Sequence, residues 1–137
     1  MFRLRTLFAV SLFSSALFFV GCGDDENESD KLGIGAQCTT NDQCNTDENQ
    51  SCLTNFKGGY CSTPSGCTQS SDCPEGSACI AHDEGGTVTN YCFRICADKP
   101  DCNANRDAEN ESNCVGSVDF ASGEKEGVKA CVPPSGS

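Results

Sequence analysis

The chain has 137 residues, of which 13 are cysteine, and it contains one histidine and no tryptophan. Its formal net charge is −11, but after the first 21 residues seven basic residues face 20 acidic ones, a net charge of −13. A surface this acidic repels phosphate groups, which excludes nucleic acid as a partner, and the scarcity of large apolar residues requires disulfide bonds to offset chain entropy.

The first 21 residues predict a lipoprotein signal peptide. Arg3 and Arg5 give a positive start, and Leu7–Val20 is an apolar stretch too short to span a bilayer comfortably. The stretch ends in Phe19–Cys22 (FVGC), which resembles the lipobox of bacterial lipoproteins. The resemblance implies that Cys22 carries the lipid anchor and that residues 1–21 are removed.

The number of cysteines supports this interpretation. Thirteen is odd, and assigning Cys22 to the lipid leaves twelve cysteines that can all pair. The alternative is ordinary secretion with cleavage after Gly23. Residues 22–34 are predicted to form a disordered acidic tether. In lipoprotein families an Asp directly after the lipidated cysteine retains the protein in the inner membrane, so Gly23 favours the outer membrane.

Residues 35–137 form a cysteine-rich domain in which the spacing repeats. Three units of four cysteines span residues 38–61, 67–92 and 96–131, and the first and second cysteines recur every 29 residues, which predicts a tandem array. The twelve cysteines are Cys38, Cys44, Cys52, Cys61, Cys67, Cys73, Cys79, Cys92, Cys96, Cys102, Cys114 and Cys131.

Residues near the cysteines repeat as well. An Asp precedes the second cysteine of each unit, an aliphatic residue follows the third, and Tyr or Ala precedes the fourth. In unit order these are Asp42, Asp72 and Asp101; Leu53, Ile80 and Val115; and Tyr60, Tyr91 and Ala130. The recurrence of these features supports three related units.

The predicted fold is small and disulfide-rich, with each unit built from an irregular coil and a short β-hairpin. In unit two, β-prone runs flank Asp83–Gly86, a hairpin signal. Unit one is predicted to turn around Asn55–Gly58 and unit three around Ala121–Gly127. Cys79 and Cys92 would share a face of the hairpin, which favours first-to-third and second-to-fourth pairing, although four cysteines allow three pairings.

The pattern Cys-x5-Cys-x5-Cys…Cys of unit two resembles the cysteine-rich modules of the Dickkopf N-terminal and EB type. It is also similar to repeats in envelope lipoproteins of deltaproteobacteria. The resemblance covers Cys38–Cys131 and implies an extracytoplasmic binding or structural module, without implying any functional residues.

Metal and catalytic chemistry have little support in the sequence. No Cys-x2-Cys pair exists for zinc or redox chemistry, so no cofactor is predicted. His82 is interpreted as a surface residue beside a turn, and the chain is predicted not to be an enzyme. Alternating Asn103, Asn105, Asp107 and Glu109 suggest calcium, but the remaining EF-hand positions do not match. A solvated acidic loop is favoured there, with weak calcium binding as an alternative.

The predicted function is a non-catalytic binding or structural module on a lipid tether, in the bacterial cell envelope. The membrane would be a partner through the anchor, and a protein or another extracellular ligand would bind the hairpin loops. Phe56, Lys57 and Glu84 are the predicted contact residues. The alternative is an exported inhibitor of proteases or other hydrolases, because disulfide-braced loops resist cleavage.

Overall fold

The computed structural model describes residues 33–63, 66–122 and 127–136. The predicted signal peptide, Cys22 and the predicted tether up to residue 32 lie outside the described residues. The described part contains no α-helix and no helix long and apolar enough to cross a membrane. Its strands are β1 (Ser51–Cys52), β2 (Cys61–Ser62), β3 (Ser77–Asp83), β4 (Val88–Cys96), β5 (Asn113–Val115), β6 (Asp119–Phe120) and β7 (Lys129–Val132). The 3-10 turns are Asn41–Gln43, Thr46–Glu48, Ser70–Asp72, Pro100–Asn103 and Ala108–Asn110.

Six disulfides join the twelve cysteines, and each lies within its own unit. The first cysteine pairs with the third and the second with the fourth in all three units, with Cα atoms 5.3–6.0 Å apart. The pairs are Cys38–Cys52, Cys44–Cys61, Cys67–Cys79, Cys73–Cys92, Cys96–Cys114 and Cys102–Cys131. The disulfide-rich fold class and the favoured connectivity are therefore confirmed.

A capped turn repeats between the first and second cysteines of each unit. In unit two the Asp72 carboxylate accepts hydrogen bonds from the backbone N–H groups of Thr68 and Gln69, at 2.8 and 3.1 Å. Asp101 does the same for the two residues that follow Cys96. In both units a side chain within the 3-10 turn reaches back to backbone N–H groups of the residues before the turn, as the Glu or Gln of a capping box does.

Unit one uses a different residue for this cap. The amide oxygen of Gln43 accepts from the backbone N–H groups of Thr39 and Thr40, at 2.6 and 3.2 Å. Gln43 directly precedes the second cysteine, whereas Asp42 lies one residue earlier. The interpretation of Asp42 as the repeated acidic position is therefore wrong. The residue directly before the second cysteine is the one whose side chain reaches the amides, and in unit one that residue is Gln43.

The hairpin of unit two is the most regular part of the molecule. β3 and β4 pair antiparallel over seven residue pairs, and Cys79 lies opposite Cys92. Paired residues project on the same face, so both sulfurs reach back toward the coil and its cysteines. The turn occupies Glu84–Thr87, one residue later than predicted, and the hairpin prediction is confirmed.

Unit three does not form the separate hairpin that was predicted around Ala121–Gly127, part of which lies outside the described residues. β5 and β7 pair, but β6 pairs with β3 on the far side of the sheet. The strand order β5-β7-β4-β3-β6 makes units two and three one sheet. The 16 residues between Cys114 and Cys131 are long enough to pass around the unit-two hairpin.

A hydrophobic core joins the units. Its buried members are Ile34, Phe56, Tyr60, Ala78, Ile80, Tyr91, Phe93 and Ala130. Ile34, which falls within the predicted tether, is 1% exposed and packs in this core. The predicted boundary at residue 34 is therefore wrong for Ile34, because a large aliphatic side chain gains free energy by leaving water.

Tyr60 of unit one lies where all three units meet. Its ring is fully buried, 5.3 Å from the Phe93 ring of unit two, and its hydroxyl accepts a hydrogen bond from the Arg94 backbone N–H. The Arg106 guanidinium of unit three lies 5.9 Å from the centre of the same ring. Burial raises the pKa of Tyr60 to about 12. The units are thus cross-linked separately but packed together.

Candidate functional site

The loop of unit one and the hairpin tip of unit two meet at a cleft of about 360 Å³. A C-terminal segment completes it: the Lys57 backbone N–H donates to the Pro134 carbonyl at 2.9 Å, and the Gly136 N–H donates to the Asn55 carbonyl at 2.7 Å. The cleft is lined by Asn55, His82, Glu84, Gly85, Ser135 and Gly136.

The turn chemistry of the hairpin tip positions Glu84. Gly85 and Gly86 have φ of 73° and 100°, values that glycine adopts without steric cost. The Glu84 N–H donates to the Thr87 carbonyl, and Asp83 accepts from the Gly86 N–H. The turn is therefore fixed on both sides of Glu84 by local hydrogen bonds.

The Glu84 side chain links the two loops. Its Oε1 accepts a hydrogen bond from the Tyr91 hydroxyl at 2.8 Å and another from the Asn55 side-chain amide. The pKa of Tyr91 is raised by burial first and by the hydrogen bond to Glu84 second, so the hydroxyl stays a donor. Glu84 was predicted as a contact residue from its exposed position in a turn, and it is exposed.

His82 is more than a surface residue beside a turn. Its ring packs against Phe56 and Phe93, with centroids 5.0 and 5.9 Å apart, and the side chain is half-buried. The earlier interpretation is corrected because the inward-folding loop of unit one covers one face of the ring. Ser135 and Glu84 line the same cleft, but no described hydrogen bond joins either of them to His82. Among these three residues of the cleft, the nucleophile–base hydrogen bond of a catalytic triad is not formed.

Phe56 is 2% exposed, so its prediction as a contact residue is wrong. Its ring packs edge-on against Tyr91 and Phe93 with centroids 5.7 Å apart. Burial of a phenyl ring lowers the free energy relative to exposure to water. The loop of unit one therefore turns inward. Lys57, the next residue, is exposed as expected.

Gly59 allows the unit-one loop to make this turn. Its φ is 66°, and a Cβ at this position would lie 2.0 Å from the Cys38 carbonyl oxygen. Only glycine fits such a close approach of two backbone segments. The double glycine that follows Lys57 is therefore the sequence signal for a folded loop, a signal that the prediction of an exposed turn did not include.

The predicted calcium loop is used to join unit three to unit one. The Asn103 amide donates to the Lys99 and Ser112 carbonyls, and the Asp107 carboxylate accepts from the Gln37 side chain. Arg106, between them, donates to the carbonyls of Gly35, Lys57, Gly59 and Asn110. Asp107 and Glu109 are exposed, as expected for a solvated acidic loop, but Asn103 and Asp107 also have protein hydrogen-bond partners.

Clusters of potential metal ligands in the described residues consist of cysteines that are already joined in disulfides. A disulfide sulfur is not a thiolate, so these clusters do not form a metal site. Six disulfides indicate an extracytoplasmic, oxidising location for this domain.

No protein-family model, no curated protein and no solved structure matches this chain. The resemblance to Dickkopf, EB-type and envelope-lipoprotein modules therefore stays a prediction based on cysteine spacing. The cleft, rather than a family, is the starting point for a functional proposal.

Proposed function

We propose that this chain is a non-catalytic binding module of the bacterial cell envelope, tethered by lipid at Cys22. The observation that supports it is the meeting of two loops from different units at Glu84 and Asn55. Both loops are braced by disulfides and by hydrogen bonds, so little conformational entropy is lost when a partner binds. A structural role without a ligand is the alternative within the same class.

The anchor is tested by mass spectrometry of the protein extracted from membranes with detergent. We expect an acylated N-terminal Cys22, and a Cys22→Ala variant that remains an uncleaved or mislocalised precursor. The outer membrane is the expected location. A soluble, unmodified chain that begins at Asp24 would contradict the anchor and support ordinary secretion.

Binding is tested in cells with a photoreactive amino acid at Thr87, which is exposed on the hairpin tip, and at Asp47, which is exposed on unit one. We expect one discrete adduct from position 87 and none from position 47. Loss of that adduct in the Cys22→Ala background would tie it to the envelope. Equal labelling from both positions would argue against a defined binding face.

The non-enzyme part of the proposal has its own test. The wild type and a His82→Ala variant are assayed against broad hydrolase and oxidoreductase panels, and we expect no turnover from either. Turnover that disappears with His82 would show a catalytic role for the cleft. The inhibitor alternative is tested with a protease panel, and stoichiometric inhibition lost on replacing the Glu84–Thr87 turn would favour it.

A further inference from the structure

The Glu84 carboxylate in the cleft is negatively charged, and no cationic group among the described residues pairs with it. Both of its hydrogen bonds come from neutral donors and reach the same oxygen, Oε1. No described donor reaches Oε2. The carboxylate is therefore oriented by its neighbours but not neutralised, which leaves one oxygen free for a ligand.

We propose that this cleft binds a lysine ammonium group of a protein partner, with Glu84 as the anionic contact. The inference rests on the proposed binding function and names the chemistry of the partner. An ammonium to Oε2 would form a charge-assisted hydrogen bond, which is about twice as strong as a neutral one. The chain's acidic excess would also steer a basic partner toward it.

The hydrogen bonding of Glu84 favours lysine over arginine. A guanidinium binds a carboxylate best with two parallel hydrogen bonds, one to each oxygen. Oε1 already accepts from Tyr91 and Asn55, so only Oε2 remains. A single oxygen suits the compact charge of an ammonium group, whose three donors can rotate toward it.

The walls of the cleft suit the rest of a lysine side chain. The His82 imidazole, which packs on Phe56, contributes an aromatic group to the lining, and Gly85 and Gly136 contribute no side chain that would fill the space. The aliphatic part of a lysine can lie along apolar surface while its charge stays hydrated or paired. The volume of about 360 Å³ has room for one such side chain.

The test is an NMR titration of the full-length, oxidised, 15N-labelled protein in detergent. The probe is a capped pentapeptide with one lysine between glycines. Reference peptides carry arginine or Nε-acetyllysine in its place. We expect saturable shifts of the Gly85, Gly86 and Gly136 amides with the lysine peptide, several-fold weaker binding of the arginine peptide, and no saturable shifts with acetyllysine.

The matched variants are Glu84→Gln and Glu48→Gln. Both remove one negative charge from an exposed residue, but Glu48 lies on the 3-10 turn Thr46–Glu48 of unit one. Losing a charge-assisted hydrogen bond should weaken binding about tenfold in Glu84→Gln, and Glu48→Gln should bind as the wild type does. Equal weakening in both variants, or equal binding of the acetyllysine peptide, would overturn the proposal.

Failure of this site can be separated from failure of the proposed function. If the crosslinked adduct from position 87 forms equally with the wild type and with Glu84→Gln, the binding function stands and the lysine site is wrong. If no partner is crosslinked at position 87, the binding function itself loses its support. Retained dispersion of the amide signals in Glu84→Gln shows that the variant is folded.

Discussion

Units one and two have the same disulfide connectivity and the same capped turn, but they differ between the third and fourth cysteines. Unit two has twelve residues there and forms a hairpin with seven residue pairs. Unit one has eight, and its strands β1 and β2 pair over only two residues. In these two units the longer segment forms a hairpin and the shorter one folds its loop inward.

The difference also determines where each unit obtains its stability. In unit two the β3–β4 ladder supplies regular backbone hydrogen bonds. Unit one instead places Phe56 and Tyr60 into the shared core and depends on contacts with unit two, unit three and the C-terminal segment. Similar cross-links thus support a regular hairpin ladder in one case and an irregular loop that depends on tertiary contacts in the other.

The largest expected effect comes from removing the unit-one aromatic group that enters the shared core. Phe56→Ala should lower the free energy of unfolding by about 3–5 kcal/mol, because a buried phenyl ring is replaced by a cavity. Phe93→Ala in β4 should cost a similar amount, although Phe93 lies in a regular strand. Chemical denaturation with the disulfides intact measures both.

Val88→Ala is the control for that comparison, since Val88 is 65% exposed and should change stability by less than about 0.5 kcal/mol. If Phe56→Ala also fell in that range, the loop of unit one would not be part of the core. The dependence of unit one on its neighbours would then be wrong.

The next prediction removes one bridge from each unit. Replacing Cys44 and Cys61 by Ala, or Cys73 and Cys92, opens loops of similar length and should cost about 3 kcal/mol in either case. Hydrogen exchange should separate the two variants. Amides of unit one should lose protection without their bridge, because two ladder pairs cannot hold it, whereas β3 and β4 should stay protected without theirs.

Equal loss of protection in both variants would mean that the β3–β4 ladder does not stabilise unit two by itself. The unaltered unit in each variant provides the internal control. Its exchange rates should change only through the global loss of stability.

The Arg106 contacts give a smaller effect. Arg106→Lys keeps the charge, but an ammonium group cannot reproduce a planar group that donates to four carbonyls. We therefore expect the free energy of unfolding to fall by about 2 kcal/mol. Hydrogen-exchange protection of the Gly59 amide, which donates to the Phe56 carbonyl, should fall as well. Lys99→Ala is the control, because its ion pair with Glu111 is exposed and should contribute little. Equal effects of the two substitutions would contradict a joining role for Arg106.

The local features of the fold were predictable from the sequence, and the contacts between units were not. Cysteine spacing and the Asp83–Gly86 turn predicted the connectivity and the β3–β4 hairpin, because both depend on residues close in the chain. The β6–β3 pairing depends on residues about 40 positions apart, where no local pattern applies. Phe56 looked like an exposed turn residue because the core that receives it comes mostly from another unit.

The candidate site was predictable to the same extent. Glu84 was identified because a turn residue between two strands is exposed whatever the rest of the chain does. Asn55 and Tyr91, which orient it, come from different units. Ser135 reaches the cleft only because the C-terminal segment pairs with the unit-one loop, through Phe56. Such a site forms from tertiary contacts, which the spacing of cysteines does not encode.

The smallest effect, and the sharpest comparison of the two units, concerns the caps of their turns. The pKa of Asp72 is lowered from its ordinary value of 3.8, first by the hydrogen bond from the Thr68 backbone N–H. A lowered pKa in the folded state adds stability above the ordinary value, and this stability is lost as the pH falls through the lowered pKa. Gln43, which caps unit one, carries no titratable group.

Acid should therefore loosen the turn of unit two before that of unit one. In an NMR titration from about pH 6 to about pH 2, the Thr68 and Gln69 amides should shift and lose protection, while the Thr39 and Thr40 amides should not. Exchanging the caps sharpens the test. Asp72→Asn should remove the acid transition from unit two, and Gln43→Glu should introduce one into unit one, because a carboxylate then accepts the amide hydrogen bonds and must be protonated to release them. If the acid transition stayed in unit two after Asp72→Asn, a different acidic group would cause it. The two caps would then share their geometry, but Asp72 would not account for the difference in their response to acid.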